Sequence, residues 1–375
     1  MREKQVRTWA EISLENIEYN IRQLRGATLS GTRFLGVVKA DSYGHGALRV
    51  ALMMQEKSLV DYLAVTSLGE AAELRHGGIQ LPILIMAYTP PAYSADLWRL
   101  NVTQTIGDVE TAREMAAYLR APLKVHLKIE TGMGRTGFDL RNPDFESDIR
   151  ELCSISELEI EGAFTHFAVS DEPQDDFTSK QFAKFKEALA KIEEIAGKSV
   201  KIAHCANSGG VINYREYSAD MVRPGIATYG LYPGADTGGI DLKPAMQLKS
   251  QITHIYDHLP GDTIGYGRTH TLNEKRRIAV VPIGYADGLH RAGSGKYEFL
   301  LNGKRVKQVG RICMDMCMID VTDHPDCKRD DVVTIFGVDG AASISADEQA
   351  EKAGTISYEV VCAVSKRVPR VYDDK

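Results

Sequence analysis

The sequence lacks any run of about 18 apolar residues, the length that a helix needs to cross a bilayer. Its first nine residues, Met1 to Trp9, lack the apolar core of a signal peptide, so we expect a cytoplasmic protein. Basic residues are not in excess, because the formal net charge is −6 at pH 7. We therefore expect neither nucleic acid nor a membrane as partner, but a small molecule.

Cysteine pairs at metal-binding spacing are also missing. The six cysteines are scattered, and only Cys313 and Cys317 lie close together, without a second Cys or His pair nearby. We expect buried free thiols and no metal. Internal repeats and low-complexity tracts are absent, and 375 residues suffice for two domains.

The apolar runs of residues 1–240 predict a (β/α)8 barrel, with a doubly wound sheet as the alternative. Eight strand-like runs alternate with helical stretches such as 68–75, 108–119 and 178–196. The runs are 34–38, 62–66, 83–87, 102–106, 123–129, 158–166, 200–204 and 220–223.

Residues 241–375 have a different pattern, which predicts a mostly β domain. The expected strands are 246–256, 277–282, 298–301, 305–312, 316–321 and 331–336, with a helical piece at 345–364. Asn302-Gly303 between two of them is a hairpin signal. The sequence leaves open whether the first dozen residues pair with this domain.

The first strand leads to an unusual lysine. The run Leu35-Gly36-Val37-Val38 ends at Lys39, where partial desolvation would lower the pKa of the amine and make it a nucleophile or base. The alternative is a lysine whose amine simply reaches water. Gly44 and Gly46 permit tight turns, and Tyr43 offers a hydroxyl to an anion.

The segment Val37-Val38-Lys39-Ala40-Asp41-Ser42-Tyr43-Gly44-His45-Gly46 resembles the cofactor attachment motif of the alanine racemase family, with Ser42 where Ala or Gly is usual. The resemblance extends over nearly the whole chain. It implies a homodimer that binds pyridoxal 5′-phosphate on Lys39 and interconverts L- and D-alanine, which supplies D-alanine for peptidoglycan of the cell wall.

Polar residues at the other strand ends fit this resemblance. Loops after the last two barrel strands commonly bind phosphate, and here they contain Asn207-Ser208-Gly209-Gly210 and Arg223-Pro224-Gly225-Ile226. The resemblance implies cofactor contacts from Tyr43, His166, Asn207, Ser208, Arg223, Gly225, Ile226 and Tyr358. An arginine at the ring nitrogen would weaken the electron sink, which suits racemisation, although Arg223 could instead pair with a neighbouring acid.

The segment Gly132-Met133-Gly134-Arg135-Thr136-Gly137 formally matches a dinucleotide-binding pattern, but Asp139, Asn142 and Pro143 oppose the helix that should follow. The same residues resemble the family segment in which the arginine contacts the substrate carboxylate, here Arg135. Lys128 aligns with a lysine that is carbamylated in some members, and a solvated lysine remains the alternative.

A racemase needs a second base on the opposite face of the substrate. The loop Gly265-Tyr266-Gly267-Arg268 resembles the family loop with the catalytic tyrosine, and Met314 aligns with a residue whose amide binds substrate carboxylate. Both would act across the dimer interface, with a corridor lined by Tyr285, Asp171, Arg291 and Arg311. A tyrosine in a β domain is otherwise usually a packing residue.

Other functions remain open from the sequence. Ser42 keeps a racemase of serine or lysine possible. A basic-amino-acid decarboxylase has the same domain plan but is not expected to contain Arg223 and Tyr266. A non-catalytic carrier of the cofactor would need only one barrel.

Overall fold

The computed structural model describes residues 7–373, which divide into two compact units. The barrel unit comprises residues 16–42 and 46–243. The β unit comprises the residues up to 15, residues 43–45 and those from 244 onward. The first strand, β1 (Thr8–Ile12), belongs to the β unit.

The barrel unit contains a closed sheet of eight parallel strands, so the predicted (β/α)8 barrel is confirmed. Its strands are β2 (Arg33–Val37), β3 (Tyr62–Val65), β4 (Ile83–Ile85), β5 (Thr103–Ile106), β6 (Leu123–Glu130), β8 (Leu158–Phe164), β9 (Ile202–His204) and β10 (Met221–Val222). A two-residue strand, β7 (Phe138–Asp139), extends the edge of β6. Each of the eight predicted runs corresponds to one barrel strand, with ends that differ by one or more residues.

Helices cover the outside of the barrel, which explains why β3, β4 and β5 are buried along their whole length. They are α1 (Leu14–Gly26), α2 (Ala47–Glu56), α3 (Leu68–His76), α4 (Ser94–Arg99), α5 (Val109–Ala116), α6 (Phe145–Ser154), α7 (Phe177–Ala196) and α8 (Ser208–Asn213). N-terminal caps explain where two of these helices begin. The Ser67 side chain accepts a backbone N–H of α3, and the Asp108 side chain accepts one of α5. In the described part of the chain, no helix has both the length and the apolarity to span a membrane.

The β unit is built on a largely antiparallel sheet. Its strands after β1 are β11 (Met246–Gln251), β12 (His254–His258), β13 (Thr263–Ile264), β14 (His270–Thr271), β15 (Arg276–Val281), β16 (Glu298–Leu301), β17 (Lys304–Val309), β18 (Cys317–Asp320), β19 (Val332–Asp339), β20 (Ala342–Ile344) and β21 (Arg370–Tyr372). Helices α9 (Ala346–Ala353) and α10 (Ser357–Ala363) form the expected helical piece.

Two details of the β unit concern the sequence predictions. Asn302 and Gly303 both have positive φ, at 51° and 74°, and join β16 to β17 as a hairpin turn of the expected kind. The predicted single strand 246–256 was wrong, because it is two strands. Residues 246–251 pair with β1 and β19, whereas residues 254–258 pair with β15 at the far edge of the sheet.

The first strand pairs antiparallel with β11, from Thr8 opposite Ser250 to Ile12 opposite Met246. This pairing answers, for residues 8–12, the question that the sequence left open. Residues 1–6 of the first dozen lie outside the described residues.

Candidate active site

Charged side chains converge at the mouth formed by the carboxyl ends of the barrel strands. Lys39 follows β2, His166 follows β8 and Arg223 follows β10. Burial, and then four nearby cations, lower the pKa of His166 well below its ordinary value. In order of effect, these cations are Arg223, Lys128, Arg135 and Lys39. A neutral imidazole beside these four basic side chains leaves the mouth positively charged, which suits an anionic group.

A left-handed turn, residues 40–42, follows Lys39 directly. The next three residues, 40–42, have φ of 51°, 54° and 55°, so the chain turns in the left-handed sense directly after the lysine. Each such residue costs roughly 1–2 kcal/mol, so neighbouring contacts must hold the turn. Two hydrogen bonds do so: Ser42 N–H donates to Val38 O at 3.0 Å, and Ala40 N–H donates to Glu70 Oε1 at 2.7 Å.

Glu70 supports this turn, a contact that the sequence did not predict. Its second oxygen accepts the N–H groups of Thr66 at 2.8 Å and Ser67 at 3.2 Å, and Ser67 Oγ accepts the Glu70 N–H in return. The sequence signal for this capping box, Ser67 followed by Glu70, was present. Its link to Ala40 lies 30 residues away in the chain, so local pattern could not reveal it.

Arg223 is buried, with 3% of its surface exposed. Its Nη1 donates to Nδ1 of His204 at 2.8 Å, and its Nη2 donates to Thr165 O at 2.7 Å and Cys205 O at 3.2 Å. Burial lowers its pKa to about 10, so it remains a cation at neutral pH. No carboxylate within residues 7–373 forms an ion pair with it, which removes the alternative of an arginine paired to an acid.

Lys128 is buried as well, with 3% exposed, so it is not a solvated lysine. Burial, and then the charges of Arg223 and Arg135, lower the pKa of its amine to about 7, against an opposing effect of Glu130. A fraction of this amine is therefore neutral and nucleophilic at neutral pH.

Arg135 lies exposed in a loop that Glu130 organises. The Glu130 carboxylate accepts backbone N–H groups of Gly132, of Gly134 at 3.1 Å and of Arg135 at 3.2 Å. Burial opposes ionisation of Glu130, but these bonds outweigh it and lower its pKa. After this loop, β7 follows and no helix begins before Phe145, so the dinucleotide interpretation of Gly132–Gly137 lacks its helix.

Ser208 joins the loops after β9 and β10. Its Oγ accepts the N–H of Gly225 at 2.9 Å and that of Ala227 at 3.2 Å, and the side chain is 4% exposed. Ile226, fully buried, begins a short 3₁₀ turn, 226–229. We call Ser208, Gly225 and Ile226 the serine cradle. Tyr229, at the end of the turn, donates to Val37 O at 2.8 Å and so connects the cradle to the strand that precedes Lys39.

Asn207 has contacts that belong to the protein itself. Its Oδ1 accepts Gly210 N–H at 3.0 Å, which caps α8, and also the hydroxyl of Ser170 at 2.6 Å. Its Nδ2 donates to Phe167 O at 3.3 Å. These bonds orient the cradle in which Ser208 lies.

Within the β unit, Tyr266 lies on a loop that two glycines shape. Gly265 and Gly267 have φ of 73° and 71°, a conformation that favours glycine. The Tyr266 ring is 68% exposed. Together with Met314, which is 52% exposed, it lines an open cavity of about 470 Å³.

The segment of Met314 is braced by the loop of Tyr285. Tyr285 N–H donates to Cys313 O at 3.1 Å and Ala286 N–H donates to Met314 O at 3.0 Å. A side chain at Gly284 would collide with both of these carbonyl oxygens. Backbone hydrogen bonds thus hold the loop of Tyr285 against the Met314 segment within the β unit.

Tyr43 and Tyr358 also belong to the β unit, where their rings lie with centroids 6.3 Å apart. Burial, and then the neighbouring Tyr358 and Cys362, raise the pKa of the Tyr43 hydroxyl. It therefore stays protonated near neutral pH and is a hydrogen-bond donor. The two tyrosines predicted to contact the cofactor thus lie together.

These features define a class of enzyme. The barrel has a lysine directly after its first strand and a buried arginine that pairs with no acid among residues 7–373. It also has a serine that joins the loops after its last two strands. These are the parts of a barrel-type pyridoxal-phosphate enzyme.

Comparison with known proteins identifies the family. Family models described as the N-terminal and C-terminal domains of alanine racemase match residues 12–233 and 245–372. The chain is 43% identical over 371 residues to the alanine racemase of Desulforamulus reducens, covering 97% of this chain and 98% of that one. It is 42% identical to alanine racemase 2 of Caldanaerobacter subterraneus, covering 97% and 94%. The chain belongs to the alanine racemase family, whose members are pyridoxal-phosphate-dependent isomerases.

Solved structures agree. The alanine racemase of Clostridium difficile superposes with a TM-score of 0.93 at 40% identity, covering 99% of this chain and 96% of that chain. The Bacillus anthracis alanine racemase with bound L-Ala-P gives a TM-score of 0.93 at 35% identity, with the same coverage. The family predicted from the Lys39 segment is confirmed. A match to both units favours it over the decarboxylase and the single-barrel carrier.

Proposed function

We propose that this protein interconverts L-alanine and D-alanine by two-base proton transfer with bound pyridoxal 5′-phosphate. The observation that carries the proposal is Arg223, a buried cation that pairs with no acid of the described residues and lies at the same barrel mouth as Lys39. An arginine can donate a hydrogen bond to the ring nitrogen of the cofactor but does not give up its proton to it. This pairing favours racemisation over reactions that need a protonated ring.

The residues present fit the cofactor. Lys39 provides the amine for covalent attachment. Ser208, Gly225 and Ile226 form a cradle with backbone donors for the phosphate, and Asn207 orients it. Tyr43 and Tyr358 contribute hydroxyl donors, and His166 lies near Arg223. When bound, the cofactor stabilises negative charge that develops at the substrate α-carbon.

The substrate is held by its carboxylate. Arg135 stands on the loop that Glu130 fixes, and its planar guanidinium suits a carboxylate. The Met314 amide provides a second donor from the β unit of the other subunit. Lys128, buried near Arg135, orients that arginine.

Two bases serve the two faces of the substrate. Lys39 takes or returns the proton on the D face, and Tyr266 does so on the L face. Tyr266 would act at the end of a hydrogen-bond chain that continues through His166 to Arg223, as in the family.

The second base comes from another copy of the chain, in a homodimer with shared active sites. Support comes from the large exposed side chains around the Tyr266 cavity: Tyr256, Tyr266, Met314 and Met316 are each at least 44% exposed. A contiguous apolar patch of this kind is typical of an interface. Tyr285, Asp171, Arg291 and Arg311 line the corridor to the site.

The biological role follows from the reaction. The D-alanine formed would supply peptidoglycan of the cell wall. The enzyme would make it in the cytoplasm. Neither a nucleic acid nor a membrane is a partner in this proposal.

The test is chiral chromatography of L-alanine incubated with the purified protein and pyridoxal 5′-phosphate. We expect the two enantiomers to approach equal amounts, starting from either one. Serine and lysine are assayed in parallel because Ser42 departs from the family motif. If either racemises while alanine does not, the substrate assignment is wrong.

A further inference from the structure

Four buried side chains form a continuous line inside the barrel unit, starting at Arg223. Arg223 Nη1 lies 2.8 Å from His204 Nδ1, and His204 Nε2 lies 2.8 Å from His126 Nδ1. His126 Nε2 lies 3.4 Å from Glu161 Oε2. Both histidines are fully buried, and Glu161 is 5% exposed. We call these four residues the Glu161 relay.

The proton positions in the Glu161 relay follow from the arginine at its start. Arginine is only a donor, so His204 Nδ1 must accept and the proton of His204 must sit on Nε2. That proton is donated to His126 Nδ1, which in turn puts the proton of His126 on Nε2, facing Glu161. Every N–H in the relay therefore points away from Arg223 and toward the carboxylate.

Glu161 is well suited to remain an anion at the end of this line. Burial opposes its ionisation, but hydrogen bonds from His126, from Lys124 at 2.8 Å and from Tyr62 at 3.0 Å hold its pKa at about 2. Burial also lowers the pKa of His126 and His204, so both rings stay neutral.

The backbone provides the room for these contacts. In the pairing of β6 with β8, Val125 lies opposite Ile160 and His126 opposite Gly162, so Glu161 is the extra residue of a β-bulge. Bulges commonly re-aim a side chain next to a functional site. A Cβ at Gly162 would lie 2.7 Å from the His126 ring, so that position accepts only glycine without displacing the ring.

We propose that Glu161 is a positioning residue, which orients Arg223 toward the cofactor ring by fixing the tautomers of His126 and His204. The inference rests on the proposed function, since the role of Arg223 is to donate to that ring. Without an acceptor at position 161, the other tautomers become accessible. His204 Nδ1 would then carry a proton facing the donor Nη1, and the 2.8 Å bond would be lost.

The relay orients Arg223 but does not deliver protons to it. His204 Nδ1 has no proton to give, so inward transfer is blocked. Outward transfer would move a proton from Arg223, with a pKa of about 10, to Glu161, with a pKa of about 2. That direction is strongly unfavourable.

The test compares Glu161→Gln with Glu159→Gln. Glu159 lies on the same strand and pairs with a lysine, Lys201, at 2.9 Å, but it contacts neither histidine of the relay. Histidine tautomers are measured by ¹⁵N NMR in cofactor-loaded and cofactor-free protein. Rates and the absorption spectrum of the bound cofactor are measured in parallel.

We expect wild-type His126 and His204 to carry their protons on Nε2 in both forms. In Glu161→Gln, Lys124 can only donate and should keep the amide oxygen on its side, so the amide NH2 group should face His126 Nε2. That donor forces the other tautomers, so Nδ1-protonated rings should appear and kcat should fall about tenfold or more. The cofactor spectrum should shift, while KM changes little. Glu161→Asp should keep the wild-type tautomers and recover part of the rate.

Several outcomes would overturn the proposal. An Nδ1-protonated His126 or His204 in the wild-type protein does so without any variant, even if Glu161→Gln does not fold. Unchanged tautomers and rates in Glu161→Gln, or an equal loss in Glu159→Gln, also do so. A wild-type protein with the expected tautomers but no racemisation instead contradicts the proposed function.

Discussion

Ser208 Oγ accepts the backbone N–H of Gly225 at 2.9 Å, which joins the loops after the last two barrel strands. If this cradle holds the cofactor phosphate, Ser208→Ala should raise the cofactor Kd about tenfold or more, the effect of one hydrogen bond to a charged group. Equilibrium titration followed by absorbance measures it. Ser218→Ala is the matched control, because Ser218 is equally buried and its Oγ donates only to Arg215 O, at 2.6 Å. Equal Kd values for the two variants would contradict the assignment.

Lys39→Ala should abolish the visible absorbance of covalently attached cofactor, because no other amine is assigned to attachment. Lys201→Ala removes an exposed lysine of the same unit and should leave the spectrum unchanged. A spectrum of wild-type form in Lys39→Ala would place the attachment elsewhere.

Tyr266→Phe should bind the cofactor normally and slow proton exchange on one face of alanine only, which solvent deuterium incorporation into each enantiomer measures. Mixing Tyr266→Phe with Lys39→Ala subunits should restore activity. Half of the dimers would be mixed and contain one intact site, so recovery approaches about a quarter of the wild-type value for a two-fold dimer. Mixed dimers that form but stay inactive would rule out a shared site.

Lys128 makes stability depend on pH in a defined direction. Its pKa is about 7 in the folded protein, below the unfolded value, so between the two the unfolded chain binds more protons and stability rises with pH. Below pH 7 the folded protein bears the whole free-energy cost of burying the Lys128 charge. This cost falls as the pH rises toward the unfolded pKa of about 10.4. It amounts to a few kcal/mol at most. Lys128→Met should therefore raise the melting temperature of cofactor-free protein more at pH 6 than at pH 10, as measured by calorimetry. Lys201→Met, which removes an exposed lysine, is the control. A Lys128→Met effect that does not depend on pH would show that the amine is not titrating in this range.

Glu70 should affect Lys39 through the turn that follows this lysine. Glu70→Ala removes the acceptor of Ala40 N–H and half of a capping box, so we expect a loss of about 1–3 kcal/mol in stability and slower covalent attachment of the cofactor. Glu73→Ala, on the exposed face of the same helix, is the control. Denaturant unfolding and the rate of absorbance growth separate the two effects. If attachment is as fast in Glu70→Ala as in the control, the turn does not depend on Glu70.

Signals that are local in the chain were reliable. Strand-like runs of four to nine residues predicted each barrel strand, because strands buried on both faces need largely apolar sequence. Asn302-Gly303 predicted its hairpin because both residues tolerate positive φ. The strand break between Gln251 and His254 was missed, since only the choice of partner strands divides that segment.

What the sequence by itself determined is the set of chemical groups and their order: a lysine after the first barrel strand, an arginine after the last, and a family motif around each. Tertiary structure alone decided how those groups behave. Burial in the closed barrel lowers the pKa of Lys128. The contact of Glu70 with Ala40 and the line from Glu161 to Arg223 join residues that lie 30 or more positions apart or on different strands. Neither desolvation nor such contacts can be inferred from neighbours in the chain, because both depend on what the closed barrel brings together.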